Sequence, residues 1–215
     1  MSKIKVLLAD DHAVVRDGLR ALLEAEGDIQ VIGVASNGID AVQLALQSNP
    51  DVVVMDIAMP DLNGIEATRQ IREVHLHTQV VILSIHATAE HIQRALEAGA
   101  LGYLLKESAG SEVVTAVRSV HKGNRFLSRK VADIALESHV GQPKAEDPLA
   151  ALSRREREVF YLMVDGKTSA EAAQIISLSP KSVETYRSRI MQKLDIHDIP
   201  SLVKFAIRHG LISLE

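Results

Sequence analysis

The sequence contains no cysteine, and no stretch of it is apolar over the ~18 residues that a membrane-spanning helix needs. The absence of cysteine excludes disulfides and cysteine-ligated zinc sites. The chain starts Met1-Ser2-Lys3 and runs directly into the mostly apolar stretch Ile4 to Ala9, which leaves no room for a signal peptide. We therefore expect a cytoplasmic protein without a membrane segment.

Positive charge is scarce in the first part of the chain. Residues 1–124 contain 10 Lys and Arg against 16 Asp and Glu, whereas residues 148–215 contain 10 against 8. An acidic first part and a mildly basic second part indicate two domains with different tasks. The small positive surplus of the second part does not by itself indicate nucleic-acid binding.

Five short apolar runs alternate with helix-like segments over the first 120 residues. This alternation is typical of βα units and predicts an α/β fold with a parallel sheet and right-handed crossovers. The predicted strands are Ile4–Ala9, Gln30–Ala35, Val52–Met55, Val80–Ser84 and Gly102–Leu105. The predicted helices lie near residues 13–25, 38–48, 64–73, 88–98 and 109–121.

Polar side chains follow four of these strands. The carboxyl ends of parallel strands meet at one edge of a sheet, so we expect these side chains to lie close together. Clustered carboxylates repel one another and suit Mg²⁺, a lysine can neutralise a phosphoryl group, and a serine hydroxyl can donate to it. Each residue alone would more often be a helix cap or a solvated side chain, but their coincidence at four strand ends indicates a site. They are Asp10, Asp11, Asp56, Ser84 and Lys106.

These residues lie in a pattern that resembles the receiver domain of two-component response regulators, over residues 3–122. The pattern consists of Asp10-Asp11, Val52-Val53-Val54-Met55-Asp56, Ser84 and Gly102-Tyr103-Leu104-Leu105-Lys106. The resemblance implies a flavodoxin-like, doubly wound, five-stranded sheet and phosphorylation of Asp56 by a sensor histidine kinase.

The same resemblance implies roles for the residues around Asp56. Asp11, Asp56 and the backbone carbonyl of Ala58 would bind Mg²⁺ directly, and Asp10 would assist through water. Lys106 would contact the phosphoryl group. Ser84 would move to bind its oxygens, and Tyr103 would then turn inward.

Residues 123–147 are predicted to link the two domains. A short helix is expected between Ser128 and Glu137, with Val131 on its apolar side. The stretch from Ser138 to Pro148 is polar, contains Gly and two Pro and has no periodicity, which is typical of a semi-flexible tether.

Residues 148–213 are predicted to form an all-α domain of four helices. Ser153 to Glu156 and Thr168 to Glu171 have the sequence of capping boxes, and Ser179-Pro180 combines an N-cap with a first-turn proline. The short joint before Pro180 is what a helix-turn-helix requires.

The third of these helices, which starts at Pro180, is the candidate DNA-binding element. Its apolar side carries Val183, Tyr186, Ile190 and Leu194. Its other side can enter a major groove, with polar groups at base edges and cations at phosphates. The alternative is a small helical bundle with an ordinary basic surface. The candidate DNA-binding residues are Lys181, Glu184, Thr185, Arg187, Ser188, Arg189 and Lys193.

Three segments of this domain resemble the LuxR-type helix-turn-helix: Leu152 to Val159, Gly166 to Ser169 and Leu178 to Tyr186. Together the two domains are similar to the NarL/FixJ subfamily of response regulators. This resemblance implies a homodimer, when phosphorylated, on double-stranded promoter DNA with pseudo-palindromic half-sites. The candidate dimer residues are Leu202, Val203 and Ala206, although Leu202 or Val203 could instead belong to the core.

The sequence therefore predicts a phosphorylation-controlled transcription regulator that is not an enzyme. One alternative is a phosphatase with an aspartyl-phosphate intermediate. Such enzymes typically have a second Asp two residues after the nucleophile, where this chain has Ala58. The other alternative is a constitutive DNA binder, which the complete set of strand-end residues disfavours.

Overall fold

The computed structural model describes residues 3–85, 87–138 and 147–212. The chain divides into two compact units, Met1–Pro143 and Lys144–Glu215. We describe each unit by itself. None of the helices within the described ranges is both long enough and apolar enough to cross a membrane.

In the described part of the first unit, a parallel sheet has six strands in the order β2-β1-β3-β4-β5-β6. All five residues of the central strand β3 are buried, as its unbroken apolar run predicted. The five predicted strands are confirmed, each to within one residue at either end. The strands are β1 (Ile4–Ala9), β2 (Ile29–Ala35), β3 (Val52–Asp56), β4 (Gln79–Ser84), β5 (Gly102–Leu105) and β6 (Phe126–Leu127).

The prediction of five strands is wrong, because Phe126 and Leu127 add a sixth at the edge of the sheet. They pair in parallel with β5, where Gly102 lies opposite Phe126 and Tyr103 opposite Leu127. A strand of two residues is too short to show the alternation or the apolar run by which strands are found in a sequence. The first part of the predicted linker is therefore part of the sheet.

Helices cover both faces of the sheet, which makes the fold doubly wound. Helices α1 and α5 pack together on one face, and α2, α3 and α4 follow one another on the other. The predicted helices are confirmed, and the side chains of Asn37, Asn63 and Thr88 cap the helices that follow them. The helices are α1 (Ala13–Glu24), α2 (Gly38–Ser48), α3 (Gly64–Val74), α4 (Ala89–Glu97) and α5 (Ala109–His121).

A sixth helix, α6 (Arg129–Ser138), follows β6 and packs against α4 and β5. It confirms the helix expected within the predicted linker. The remaining part of the expected tether, residues 139–146, lies outside the described residues.

Over residues 147–212 the second unit contains four helices, as predicted. Both predicted capping boxes are present: Ser153 with Glu156, and Thr168 with Glu171. Its core is formed by apolar side chains from all four helices, among them Phe160, Val183 and Ile190. The helices are α7 (Arg154–Val164), α8 (Ser169–Ile175), α9 (Pro180–Leu194) and α10 (Ile199–Arg208).

Candidate functional site

Two buried carboxylates lie side by side at the carboxyl ends of β1 and β3. Asp56 is the last residue of β3 and is 2% exposed, and Asp10 directly follows β1 and is 1% exposed. The parallel pairing of Ala9 with Met55 brings these two residues together. The side chain of Asp11 lies at the rim of the site and is 31% exposed. The sheet thus assembles the three carboxylates that the sequence predicted to meet.

Lys106 joins the two buried carboxylates. Its Nζ lies 2.8 Å from Asp56 Oδ2 and 2.7 Å from Asp10 Oδ2. Lys106 directly follows β5, and its long side chain reaches past the end of β4 to β3 and β1. Burial alone would lower the pKa of the Lys106 ammonium, but its hydrogen bonds and charge interactions with Asp10 and Asp56 raise that pKa above its ordinary value. The lysine therefore stays charged in the site.

The surroundings of the Asp56 carboxyl disfavour its charged form. Burial, followed by the neighbouring charges of Asp10 and Asp11, raises the pKa of Asp56 to about 6, while Lys106 acts in the opposite direction. A carboxylate that is partly stripped of water and lies at a strand end is a suitable oxygen nucleophile. A bound cation would therefore lower the repulsion between the carboxylates of the site.

The donor set of the site fits Mg²⁺. Asp10, Asp11, His12 and Asp56 each offer one ligand atom, and these atoms lie within 4.8 Å of one another. Three of the four are carboxylate oxygens, the ligands that Mg²⁺ prefers. The fourth, His12 Nδ1, lies 2.6 Å from Asp11 Oδ1 and is placed as a partner of that carboxylate. Ala58 lies in the loop two residues beyond Asp56.

Ser84 and Tyr103 contact each other beside the carboxylates. Ser84 ends β4 and is 6% exposed, and the Tyr103 ring is fully buried on the neighbouring strand. Burial raises the pKa of the Tyr103 hydroxyl to about 12, which a side-chain hydrogen bond with Ser84 partly opposes. An inward Tyr103 was expected to follow phosphorylation. Here the ring is already inward, so its position alone does not report phosphorylation.

Two residues that support the site were missed by sequence reasoning. The backbone N–H of His12 donates to Asp10 Oδ1 at 2.8 Å, and Arg16 Nη1 donates to the Asp10 carbonyl at 2.5 Å. These contacts fix the turn that presents the Asp10 and Asp11 side chains. A lone histidine or arginine at the start of a helix carries no pattern that could have revealed this role.

Gly64 allows α3 to approach the backbone of Asp56. A Cβ atom at position 64 would lie 1.8 Å from the Asp56 carbonyl oxygen. The Gly64 N–H also donates to the Ile57 carbonyl at 3.0 Å, which closes the loop after Asp56. Only glycine fits there without displacing that loop.

Gly64→Ala is accordingly expected to lower the free energy of unfolding of the first unit by about 1–3 kcal/mol, the range for overpacking. Urea denaturation of the full chain measures this change. Gly18→Ala is the matched control, since nothing lies within 4 Å of a Cβ there and position 18 is within α1. It should stabilise the unit by about 0.5–1 kcal/mol. Equal effects of the two substitutions would contradict the close approach.

In the second unit, α9 presents most of the predicted DNA-binding residues to solvent. Val183 and Ile190 are fully buried and fix the rotation of the helix, and Arg187 is half-buried. The exposed members of the predicted set are Lys181, Glu184, Thr185, Ser188, Arg189 and Lys193.

The side chains of two of these residues have partners on other helices of the unit. Glu184 accepts a hydrogen bond from the Ser169 hydroxyl, which ties α9 to α8. Lys193 Nζ lies 2.7 Å from Oε2 of the buried Glu156. Although burial raises the pKa of Glu156, its contacts with Lys193 and Ser153 lower that pKa overall. Lys193 therefore has a structural role that the sequence did not indicate.

Two of the three predicted dimer residues on α10 are buried within the second unit. Leu202 and Ala206 are fully buried, since both pack into the core of the second unit. They offer no side chain to a second copy. Val203 is half-buried and is the predicted dimer residue that retains exposed surface. Periodicity identifies the apolar side of a helix, but it does not tell whether that side faces the core or a partner.

A parallel sheet that presents three carboxylates and a lysine at its strand ends, followed by a helix-turn-helix unit, defines a class of signalling regulators. Comparison with known proteins agrees. The family described as "Response regulator receiver domain" matches residues 6–118. The family described as "Bacterial regulatory proteins, luxR family" matches residues 150–206. The chain belongs to the two-component response regulators and, within them, to the NarL/FixJ subfamily.

Several similar proteins span nearly the whole chain. The response regulator UvrY of Escherichia coli (strain K12) is 41% identical over 212 residues, which cover 99% of this chain and 97% of UvrY. The transcriptional regulatory protein LiaR of Bacillus subtilis (strain 168) is 39% identical, with 98% and 100% covered. Among solved structures, the response regulator ChrA of a heme-sensing two-component system has a TM-score of 0.53 at 34% identity, with 99% and 100% covered. A LuxR-family response regulator from Aurantimonas sp. SI85-9A1 has a TM-score of 0.62 at 36% identity, covering 65% of this chain and 100% of that one.

Proposed function

We propose that Asp56 accepts a phosphoryl group from the phosphohistidine of a sensor histidine kinase. The observation that carries this proposal is the buried Asp56 carboxylate at a strand end, 2.8 Å from Lys106 Nζ. In the transfer, a carboxylate oxygen of Asp56 forms a bond to phosphorus while the bond from phosphorus to the kinase histidine nitrogen breaks. The Lys106 ammonium is placed to stabilise the charge on the phosphoryl oxygens.

The acidic group of the site would hold Mg²⁺ during this reaction. We propose Asp11, Asp56 and the Ala58 carbonyl as direct ligands and Asp10 as a ligand through water. A bound Mg²⁺ supplies positive charge that offsets the carboxylates and the incoming phosphoryl oxygens. The bond from the His12 N–H would keep the Asp10 carboxylate oriented, and the bond from Arg16 to the Asp10 carbonyl would hold the backbone there.

Phosphorylation would change the partners of Ser84. A phosphorylated side chain carries about −1.5 to −2 charge and three acceptor oxygens. The Ser84 hydroxyl, which now contacts Tyr103, would donate to one of these oxygens. The Ser84–Tyr103 contact would then break, which gives the site two discrete arrangements.

Acetyl phosphate with Mg²⁺ tests the phosphoacceptor directly. The wild-type chain should gain the mass of one phosphoryl group, and Asp56→Asn should gain none. Asp51→Asn is the matched control, since Asp51 lies just before the opposite end of β3 and accepts a hydrogen bond from the Lys5 N–H. It should be phosphorylated like the wild type. Equal uptake by Asp56→Asn would place the acceptor elsewhere.

We further propose that α9 reads double-stranded promoter DNA and that phosphorylation favours a homodimer on pseudo-palindromic half-sites. The exposed polar and cationic side of α9 and its anchoring by Val183 and Ile190 support this role. Promoter DNA as the target implies activity in the cytoplasm. In this role the protein regulates transcription and is not an enzyme, apart from its own phosphotransfer and dephosphorylation.

Arg189→Ala tests the contact of α9 with phosphates. We expect weaker binding of the phosphorylated chain to duplexes selected from genomic fragments. The slope of log affinity against log salt should fall by about 0.9, the value for one lost phosphate contact. Lys204→Ala, an exposed cation on α10, is the control and should leave the slope unchanged. A slope that does not change in Arg189→Ala would contradict the proposed orientation of α9.

A further inference from the structure

The edge strand β6 is fastened to the backbone on both sides of the Tyr103 position. The Phe126 N–H donates to the Leu101 carbonyl at 3.0 Å, and the Ser128 N–H donates to the Tyr103 carbonyl at 3.1 Å. Tyr103 lies opposite Leu127 in the register of the sheet. Residues 126–128 therefore follow any displacement of the β5 backbone, because separation would leave buried polar groups without partners.

Helix α6 is also attached to β5 and to the neighbouring helix α4. Its Val131 side chain is fully buried, and the helix packs against α4 and β5. Lys130 Nζ lies 3.1 Å from Oε1 of Glu107, the residue next to Lys106. The ion pair is exposed and adds little stability, so Val131 and the β6 hydrogen bonds hold the helix in place.

We infer that residues 126–138 form the output element of the first unit, coupling the arrangement of Ser84 and Tyr103 to the chain that leads into the second unit. A flexible tether that began at residue 123 would transmit no displacement. A strand and a helix fixed to β5 carry it as far as residue 138, since they move with the Tyr103 backbone. This inference rests on the proposed function, and it assigns the step between phosphorylation and DNA binding.

Hydrogen–deuterium exchange of peptides covering residues 126–138 tests the coupling in the full chain. Acetyl phosphate with Mg²⁺ should change the exchange of these amides in the wild type and leave Asp56→Asn unchanged. Identical exchange in the phosphorylated and unphosphorylated wild type would overturn the inference, while the phosphoryl mass gain would still support the proposed function.

A pair of substitutions on α6 tests its consequence for DNA binding. Val131→Asp places a charge in the buried contact and should release α6, which faster exchange of residues 126–138 reports. Leu136→Asp makes the same change at a side chain that is 70% exposed. Both variants should take up phosphoryl groups like the wild type, since neither residue belongs to the acidic site.

The two variants should differ in how phosphorylation changes DNA affinity. Phosphorylation should raise the DNA affinity of the wild type by the order of 5–150-fold, the range of an ordinary allosteric coupling. Leu136→Asp should keep this increase in affinity. In Val131→Asp the increase should fall below about 2-fold. If phosphorylation raised the DNA affinity of Val131→Asp as much as that of the wild type, the inference would be overturned. Absence of any gain in the wild type would instead overturn the proposed function.

Discussion

Lys106→Met is expected to lower the free energy of unfolding of the first unit by about 3 kcal/mol at pH 8, because it leaves two buried carboxylates without their shared cation. Asp10 and Asp56 are both nearly inaccessible to solvent, and Lys106 Nζ lies within 2.8 Å of each. Methionine keeps a side chain of similar length, so the loss is mainly electrostatic. Urea denaturation of the full chain in the absence of divalent metal measures it.

The pH dependence of this loss identifies its origin. Lys106 lowers the pKa of Asp56, so its removal raises that pKa further above the ordinary 3.8. A raised folded-state pKa means stability that is present at low pH and is lost as the pH rises through that pKa. The deficit of Lys106→Met should therefore shrink at acidic pH and should also shrink when Mg²⁺ is added.

Lys130→Met is the matched control for Lys106→Met. The Lys130–Glu107 pair is exposed on both sides and should change the stability by no more than about 1 kcal/mol. A pH-independent deficit in Lys106→Met, or a deficit no larger than that of Lys130→Met, would show that the lysine does not stabilise the carboxylates.

Asp56→Asn is expected to stabilise the first unit at neutral pH although it removes the proposed phosphoacceptor. The pKa of Asp56 is raised from 3.8 to about 6 by burial and by the neighbouring carboxylates. The wild type therefore loses stability as the pH rises through this interval, and the neutral amide avoids the loss. We expect a gain of about 1–3 kcal/mol above pH ~6 that disappears below pH ~4.

Unfolding of both chains between pH 4 and pH 8, without divalent metal, measures this difference. Mg²⁺ should narrow it, because a bound cation stabilises the wild-type carboxylates more than the amide. Asp17→Asn, an exposed position on α1, is the control and should change stability by less than about 0.5 kcal/mol at any pH. If Asp56→Asn were less stable than the wild type at neutral pH, the charged Asp56 carboxylate would not be destabilising.

The central part of the fold and of the acidic site could be predicted from the sequence for a simple physical reason. A parallel strand that is covered on both faces needs an unbroken apolar run, and the residue after that run lies at the sheet edge where the other strand ends meet. The positions of Asp10, Asp56, Ser84 and Lys106 follow from this rule alone. The helix caps of the second unit were predictable for a similar reason, since each cap is a local contact within a few residues.

Features that depend on long-range packing could not be predicted. Strand β6 exists because its two residues find hydrogen-bond partners on β5, which their own sequence does not reveal. The Lys193–Glu156 pair joins residues 37 positions apart. The burial of Leu202 and Ala206 depends on which neighbour covers α10. In each case the tertiary partner that decides the outcome lies outside the local sequence pattern.

Control of DNA binding by Asp56 is tested most directly by the DNA affinity of the full chain. This affinity is measured with and without acetyl phosphate and Mg²⁺, in the wild type and in Asp56→Asn. Fluorescence anisotropy with labelled duplexes selected by the wild-type protein provides the readout. If Asp56 controls α9, phosphorylation conditions raise the affinity of the wild type and leave that of Asp56→Asn unchanged. An equal change in both chains, or no change in either, would contradict control of DNA binding by phosphorylation of Asp56.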